Sequence, residues 1–296
     1  MQFTVRNIAA FFYANYLLYT GKIKKYKINA NQYKIITSVY FHNPSKKQFE
    51  KCVLWFLKHK FTFISTEDLY NIISFKKDWP SSAVIFTIDD GWRENKDNVV
   101  AIATKYNIPI TIFIVSDLIK SHQRYWWSYF NSSKKYLDHN LSLNTLKIFD
   151  NDKRLEIIEE AKKYSIHYRE SMNLNEISEI IKNKNVTIGS HTVSHPILTK
   201  CNDTESEREI LFSKKEIENL FNHPIFYFAY PNGEYTNREK EYLKKSNYKL
   251  AFTTSPKYIL ADSLPNIYEI PRFDVLENVS FSENICRMTG IWFNQF

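Results

Sequence analysis

The sequence is poor in glycine. Only five glycines occur in 296 residues, about a quarter of what an average composition of roughly 7% would give. Where glycine is this scarce, the positions that keep it are expected to meet a need of the backbone. Three of the five, Gly91, Gly189 and Gly233, lie next to polar side chains that prove important below.

Cysteine is equally scarce. The three cysteines, Cys52, Cys201 and Cys286, are far apart in the sequence and form no C-x-x-C pair. This argues against a disulfide framework and against a cysteine metal site, and it favours a reducing compartment. We therefore expect a cytoplasmic protein.

The sequence also has no apolar run of the about 20 residues needed to span a bilayer. Residues 8–19 are apolar but short, and no signal-peptide cleavage site follows them. We expect an uncleaved helix in an N-terminal helical segment, residues 1–34. This helix either packs on the domain or lies on the inner face of a membrane, with the lysines of residues 22–27 at the headgroups.

A dense basic block is missing beyond residues 22–27, although the net charge is +8. A nucleic-acid site would need a clustered basic stripe, so we expect no nucleic-acid partner. The positive charge instead favours anionic partners such as an acidic polysaccharide or a phospholipid surface. The 44% hydrophobic and 24% charged residues indicate a soluble globular protein with a full core.

What the sequence does contain is an alternation of strand-like and helical segments. The expected strands are 35–41, 61–64, 83–88, 110–115, 186–189, 225–229, 248–253 and 267–270. This alternation indicates a parallel sheet with helices outside, and seven or eight units indicate an α/β fold, a distorted (β/α)7-8 barrel. We expect the barrel to span residues 35–296, with a helical, aromatic-rich insertion at about 117–185.

Polar or reactive side chains follow five of the expected strands. They are His42, the pair Asp89 and Asp90, His191, the segment 230–233, and Arg272. Because active sites of such barrels lie at the carboxyl ends of the strands, we expect these groups to share one rim.

Asp89 and Asp90 directly follow the apolar strand 83–88. An ordinary Asp-Gly turn would explain them, but a bound cation would also hold both carboxylates ionised. His191 and His195 form an H-x-x-x-H pair, which is often purely structural. Together with Asp90 they make a three-ligand open site suited to Zn²⁺ or another first-row divalent ion, leaving Asp89 free to act as a base.

These motifs resemble those of the polysaccharide deacetylases, carbohydrate esterase family four. The segments that carry the resemblance are 39–42, 87–91, 125–127, 191–195, 228–233 and 270–272. Residues 87–91 and 191–195 are similar to the first two motifs of the family, and the last two segments to variants of its third and fourth. The resemblance covers about residues 35–290 and extends to bacterial members that are encoded with surface-polysaccharide genes.

The resemblance implies a metal-dependent hydrolase that removes N-acetyl groups from an amino sugar of a surface polysaccharide or its precursor. Asp90, His191 and His195 would hold the metal, with Zn²⁺ first and Co²⁺, Ni²⁺ or Mn²⁺ as alternatives. Asp89 would be the general base that takes a proton from metal-bound water. Arg272 would pair with Asp89 and keep it ionised.

The third motif and the general acid depart from the family's usual pattern. Ala229 stands at the position of the usual Arg and Asn232 at that of a Tyr. The metal and the backbone N–H of Asn232 would stabilise the oxyanion, so the side chain at position 232 is not needed for this role. No histidine follows His223, although standard members take their acid from a C-terminal histidine. His42 is therefore the candidate acid, and the alternative is a histidine that is merely hydrogen-bonded at the rim.

Two aromatic residues, Tyr230 and Trp126, are the candidate substrate contacts. For the pair of Trp126 and Trp127, packing of the insertion onto the barrel is the alternative. Two other functions stay open: removal of O-acetyl or other acyl groups by the same site, and a catalytically inactive carbohydrate-binding protein. The sequence does not indicate the oligomeric state.

Overall fold

The computed structural model describes residues 2–294, and a parallel sheet forms its centre. Within these residues the strands are β1 (Ile35–Phe41), β2 (Thr62–Phe63), β3 (Ser82–Ile88), β4 (Ile110–Ile114), β5 (Val186–Ser190), β6 (Tyr227–Ala229), β7 (Leu250–Phe252) and β8 (Phe273–Asp274). Neighbouring strands follow the order β7-β6-β5-β4-β3-β1-β8, and β2 also pairs with β3. All of these pairs are parallel.

Helices fill the connections between the strands. In the described part of the chain the α-helices are α1 (Val5–Tyr19), α2 (Lys22–Gln32), α3 (Lys46–Lys58), α4 (Thr66–Ile73), α5 (Ala101–Tyr106), α6 (Trp126–Ser133), α7 (Leu143–Ile148), α8 (Asn151–Lys162), α9 (Leu174–Ile180), α10 (Asp203–Phe221), α11 (Asn237–Lys245) and α12 (Phe281–Met288). None of the helices in residues 2–294 is both long and apolar enough to span a membrane.

The sheet curls into a half-barrel, and one short segment, residues 270–273, links its two ends. Ile270 forms a parallel bridge with Phe252 of β7, and Phe273 pairs with Val39 of β1. Arg272 lies between these two contacts and is therefore carried into the centre of the fold. This architecture confirms the expected distorted (β/α) barrel.

Apolar side chains explain why the strands are buried on both faces. Along β3, Val84, Phe86 and Ile88 belong to the main core under the outer helices. The alternate residues Ala83 and Ile85 belong to a second core inside the curl, which α4 covers. A strand buried on both faces in this way is typical of parallel sheets with helical crossovers.

The expected strand at 267–270 was wrong. The chain turns there, because the N–H of Glu269 donates to the carbonyl of Asn266 at 2.8 Å. Only Ile270 bridges to β7, and the last strand, β8, starts after Arg272 instead of before it. Pro271 has no N–H to offer to a ladder, which is consistent with this break.

The connection after β3 becomes helical only some residues beyond the strand. Residues 92–95 form a turn, and a π-helical stretch, Lys96–Val100, precedes α5. The turn lets the side-chain amide of Asn95 donate to the carbonyl of His42 at 3.1 Å. Such π-helical irregularities occur frequently at functional sites.

The N-terminal segment and the insertion are both helical. The N-terminal helix starts at Val5, and α2 follows it before β1. Between β4 and β5 the insertion contains the helices α6, α7, α8 and α9. The insertion has its own apolar cluster of Tyr129, Phe130, Leu146, Ile158 and Ala161.

Candidate active site

A cavity of about 630 Å³ lies at the carboxyl ends of the strands. The sequence-predicted residues that line it are His42, Asp89, Asp90, Trp126, His191, His195, Tyr230 and Asn232. Arg272 does not line the cavity; it is fully buried beside Asp89. Residues that are distant in the sequence but follow the strands thus share one cavity in the structure, and Arg272 lies directly behind it.

Three side chains in the cavity form a cluster that could hold a metal ion. Oδ1 of Asp90 lies 3.5 Å from Nε2 of His191 and 3.4 Å from Nε2 of His195. All three ligand atoms lie within 4.8 Å of one another. Oδ1 of Asp90 is buried and accepts no hydrogen bond, a costly state for a carboxylate oxygen that nothing binds. Two imidazoles and one carboxylate suit a first-row divalent cation.

The hydrogen bond on the far side of His191 prepares this ring for ligation. Nδ1 of His191 lies 2.7 Å from the carbonyl oxygen of Ala229, which can only accept, so Nδ1 carries the proton. The lone pair of Nε2 is then free to face Asp90. Burial and the neighbouring His195 lower the pKa of His191 to about 4, so the ring is neutral, as a metal ligand must be.

Asp90 occupies a strained turn that aims its side chain. Its φ is +72°, and the N–H of Gly91 donates to the carbonyl of Asp89 at 3.0 Å across this single residue. Such three-residue turns are rare, and strain of this kind is concentrated at functional sites. The indole N–H of Trp92 donates to Oδ2 of Asp90 at 2.9 Å, and the Tyr125 hydroxyl donates to its carbonyl at 3.0 Å. Oδ1 is left facing the histidines.

Asp89 is held by a different set of contacts. Nη1 and Nη2 of Arg272 donate to its two carboxylate oxygens at 2.7 and 2.8 Å. Burial alone would raise the pKa of Asp89, but the charge and the hydrogen bonds of Arg272 outweigh it, so the pKa is lowered. Arg272 is fixed in turn by the carbonyl of Thr253 at 2.8 Å and by the ring of Tyr40, 4.5 Å below its guanidinium. Asp89 is therefore an ionised carboxylate in a fixed orientation.

The loop between the two histidines is fixed by a buried glutamate that sequence reasoning missed. Glu209, on α10, accepts hydrogen bonds from the N–H groups of Val193 and Ser194 at 2.8 and 2.9 Å, and from the Ser194 hydroxyl at 2.8 Å. It is only 5% exposed. His195 itself has a φ of +60°, so its loop needs such support.

The aromatic cluster of the insertion packs against His195, the second candidate histidine ligand. The indole N–H of Trp126 donates to the carbonyl of His195 at 3.1 Å. The ring of Trp127 contacts the His195 ring edge-on, with centroids 4.6 Å apart, and stacks on Tyr125 at 4.6 Å. These contacts support the packing interpretation of the tryptophans; Trp126 also lines the cavity, so its role as a sugar contact stays a prediction.

Tyr230 and Asn232 follow β6 and also line the cavity. The ring of Tyr230 is buried and stacks on Tyr235, and its hydroxyl donates to the carbonyl of Tyr268 at 3.0 Å. This hydroxyl is therefore already engaged. Asn232 lies in the first turn of a 3-10 helix, Pro231–Gly233, where backbone N–H groups have no acceptor within the helix. Lys147, from α7, donates to its Oδ1 at 2.8 Å.

His42 lies at the mouth of the cavity. Its side chain is exposed, and its ring contacts Tyr40 edge-on at 5.5 Å. It shares this side of the cavity with Asn43 and Glu277. The structure thus brings His42 to the same cavity as Asp89 and Asp90, and its role as the acid stays a prediction.

Fold and site together define a hydrolase-type α/β half-barrel with a candidate metal centre at its rim. The sequence profile of the polysaccharide deacetylase family matches residues 76–251, more than half of the chain, and the chain belongs to this family. Family membership makes it a carbohydrate deacetylase with a carbohydrate substrate, and it agrees with the resemblance found in the motifs.

Individual relatives are distant. A Bacillus subtilis (strain 168) protein, YxkH, whose name places it among the polysaccharide deacetylases, is 20% identical over 237 residues, covering 80% of this chain and 67% of its own. The deacetylase PplD of Streptococcus pyogenes, solved with acetate, has a TM-score of 0.62 at 18% identity and covers 86% of this chain and 98% of its own. The structure of IcaB from Ammonifex degensii has a TM-score of 0.62 at 13% identity, and the match covers 86% of this chain and 97% of its own. These structures support the fold.

Proposed function

We propose that this protein is a metal-dependent N-deacetylase acting on an amino sugar of a surface polysaccharide or its precursor. The observation that carries the proposal is the orphaned Oδ1 of Asp90 facing the Nε2 atoms of His191 and His195. A buried anionic oxygen and two neutral nitrogens directed at one point are the donor set of a divalent site. Zn²⁺ is the first candidate, and Co²⁺, Ni²⁺ and Mn²⁺ are alternatives.

A divalent cation bound there would polarise the acetyl carbonyl and lower the pKa of a bound water towards about 7. Asp89 then takes the proton of the attacking water at a carboxylate oxygen. Because Arg272 donates only one hydrogen bond to each of these oxygens, each keeps a lone pair for this proton. The low pKa of Asp89 ensures that it is ionised before the reaction.

Two other residues complete the proposed reaction. The N–H of Asn232 donates to the oxygen that gains negative charge. Lys147 donates to the side-chain Oδ1 of this residue at 2.8 Å, which leaves its backbone N–H unaffected. His42 gives a proton to the departing amine nitrogen. An amine leaves as an anion only at high cost, so amide cleavage needs such an acid.

Removal of O-acetyl groups is a second candidate, favoured by the exposed position of His42 at the cavity mouth. An alcohol leaves more readily than an amine, so a weakly held acid is sufficient for an ester. We expect acetate release from N-acetylated oligosaccharides to fall by about 10² to 10⁴ in a His42→Asn variant. If the natural substrate is an ester, acetate release from the O-acetylated saccharide should change little or not at all in this variant.

The test compares acetate release from N-acetylated and O-acetylated saccharides by the wild type, Asp89→Asn, His42→Asn and the exposed control His122→Ala. Loss of activity in Asp89→Asn, with metal retained and the control active, is the expected result. A folded, metal-loaded wild type that releases no acetate from either substrate class would instead support the inactive carbohydrate-binding alternative.

A further inference from the structure

The outward face of α1 is apolar, although nothing in the described chain covers it. Val5, Ile8, Phe12, Tyr16 and Tyr19 are spaced three or four residues apart, so they form one stripe along the helix. Each is between 44% and 91% exposed. Exposed aromatic stripes of this length are uncommon on soluble monomers and mark interaction surfaces.

The other face of α1 fixes the helix to the barrel. Its buried residues are Asn7, Ala10, Ala14 and Leu17. The side-chain amide of Asn7 donates to the carbonyl of Asn278 at 3.0 Å, and Arg6 forms an ion pair with Glu283 at 2.6 Å. The apolar stripe is therefore presented outward by a helix that is held in place.

The charge of the whole protein is concentrated in this region. The chain has 40 Lys and Arg against 32 Asp and Glu; residues 1–49 hold eight of the 40 and none of the 32, so residues 50–296 are balanced at 32 each. The net charge of +8 thus belongs to the N-terminal helices and the first part of the barrel. Lys24 and Lys25, on α2, are exposed.

We propose that α1 and α2 form a surface that docks onto an anionic lipid bilayer. An apolar stripe next to a cluster of lysines, in a segment whose sequence contains no acidic residue, is the pattern of an interfacial helix. Tyrosines are favoured at the level of the headgroups. A second copy of the chain fits less well, because two such surfaces would bring together clusters of like charge.

Docking has a consequence for the substrate, which rests on the proposed function. The N–H of Gln2 donates to the carbonyl of Asn278 at 3.0 Å, and the preceding residue, Glu277, lines the catalytic cavity. The start of α1 is therefore next to the cavity rim. A protein docked through α1 holds this rim near the bilayer, where membrane-attached saccharides are presented.

The test is sedimentation of the full chain with vesicles of phosphatidylcholine alone or mixed one-to-one with phosphatidylglycerol. The wild type is expected to sediment with the anionic vesicles and to be released by high salt. Lys24→Glu/Lys25→Glu is expected to weaken vesicle binding at least about tenfold, because each lysine close to an anionic bilayer contributes to the binding free energy. The control Lys244→Glu/Lys245→Glu makes the same change of charge on α11 and is expected to keep binding.

A second pair of variants tests the apolar stripe. Phe12→Ser/Tyr16→Ser is expected to lose vesicle binding, whereas Phe75→Ser/Phe212→Ser, which removes two exposed aromatic rings elsewhere, is expected to keep it. No binding of the wild type to anionic vesicles, or equal binding by variants and controls, would overturn the proposal. So would a dimer in light scattering that Phe12→Ser/Tyr16→Ser dissociates, which would assign the stripe to a second copy. Acetate release from a soluble saccharide reports separately on the proposed function and is expected to be unchanged in all of these variants.

Discussion

Replacing Arg272 by Met tests the most buried charge pair of the site. Both Arg272 and Asp89 are almost completely buried, and two hydrogen bonds of 2.7 and 2.8 Å join them. Met fills a similar volume but leaves Asp89 as an unpaired buried carboxylate. Removing one partner of such a pair costs about 3–5 kcal/mol of unfolding free energy, so we expect a loss of this size at neutral pH.

The pH dependence of this loss follows from the pKa of Asp89. In the wild type the folded-state pKa is below the unfolded value, so the pair contributes stability above about pH 4 and loses it as the pH falls through the folded pKa. In the variant the largest lowering interaction, that with Arg272, is lost, so we expect burial to raise the pKa of Asp89. The difference in stability between the two proteins should therefore narrow on acidification.

Guanidinium denaturation followed by tryptophan fluorescence measures these free energies for the wild type, Arg272→Met, Asp89→Asn and the double variant. The double variant should lose less unfolding free energy than the sum of the two single-variant losses. The difference, which is the coupling energy of the pair, should exceed about 1 kcal/mol. A cost of Arg272→Met below about 1 kcal/mol, or additive losses at neutral pH, would refute the account of a paired and ionised Asp89.

Three further predictions concern the support of the metal ligands. Glu209→Gln removes a carboxylate that holds the histidine loop. The affinity for zinc, measured by competition titration, should therefore fall by about 10- to 100-fold. The control Glu205→Gln, on the same helix, should leave the zinc affinity unchanged. Gly91→Ala should destabilise the protein more than Gly21→Ala. Both glycines have φ near +75°, but a Cβ at Gly91 would lie 2.8 Å from Ile114, whereas a Cβ at Gly21 would have no atom within 4 Å. Equal losses of stability in thermal unfolding would contradict this reasoning. The pKa of His191 is about 4 when the protein is folded without metal. The unfolding free energy of chelator-treated protein should therefore fall by about 3 kcal/mol as the pH falls from about 6.5 to 4. The same pH dependence of stability in a His191→Gln variant would contradict this prediction.

The site was predictable where local sequence determines position. Asp89 and Asp90 follow a strand of apolar residues, and His191 follows another, so the rule that strand ends meet at one rim placed them together. The rule needs no knowledge of which strands are neighbours. It also brought Arg272 to the site, even though the strand near it lies after this residue and not before it.

Other features depend on contacts that a single sequence does not reveal. Glu209 lies on a helix beside Glu205, Glu207 and Arg208, where an ordinary surface glutamate would look the same. Its burial depends on how α10 packs against the histidine loop. The hydroxyl bond from Tyr125 to Asp90 joins residues from different elements, and no periodicity in either segment indicates it.

The central claim is that Asp90, His191 and His195 hold a divalent ion on which deacetylation depends. The most direct measurement is the metal content of the purified protein by mass spectrometry, together with acetate release before and after treatment with a chelator. We predict about one ion per chain in the wild type, loss of that ion in His191→Gln, and loss of activity on chelation that zinc restores. A well-folded wild type that binds no divalent ion, or acetate release that persists in the chelator, would contradict the claim.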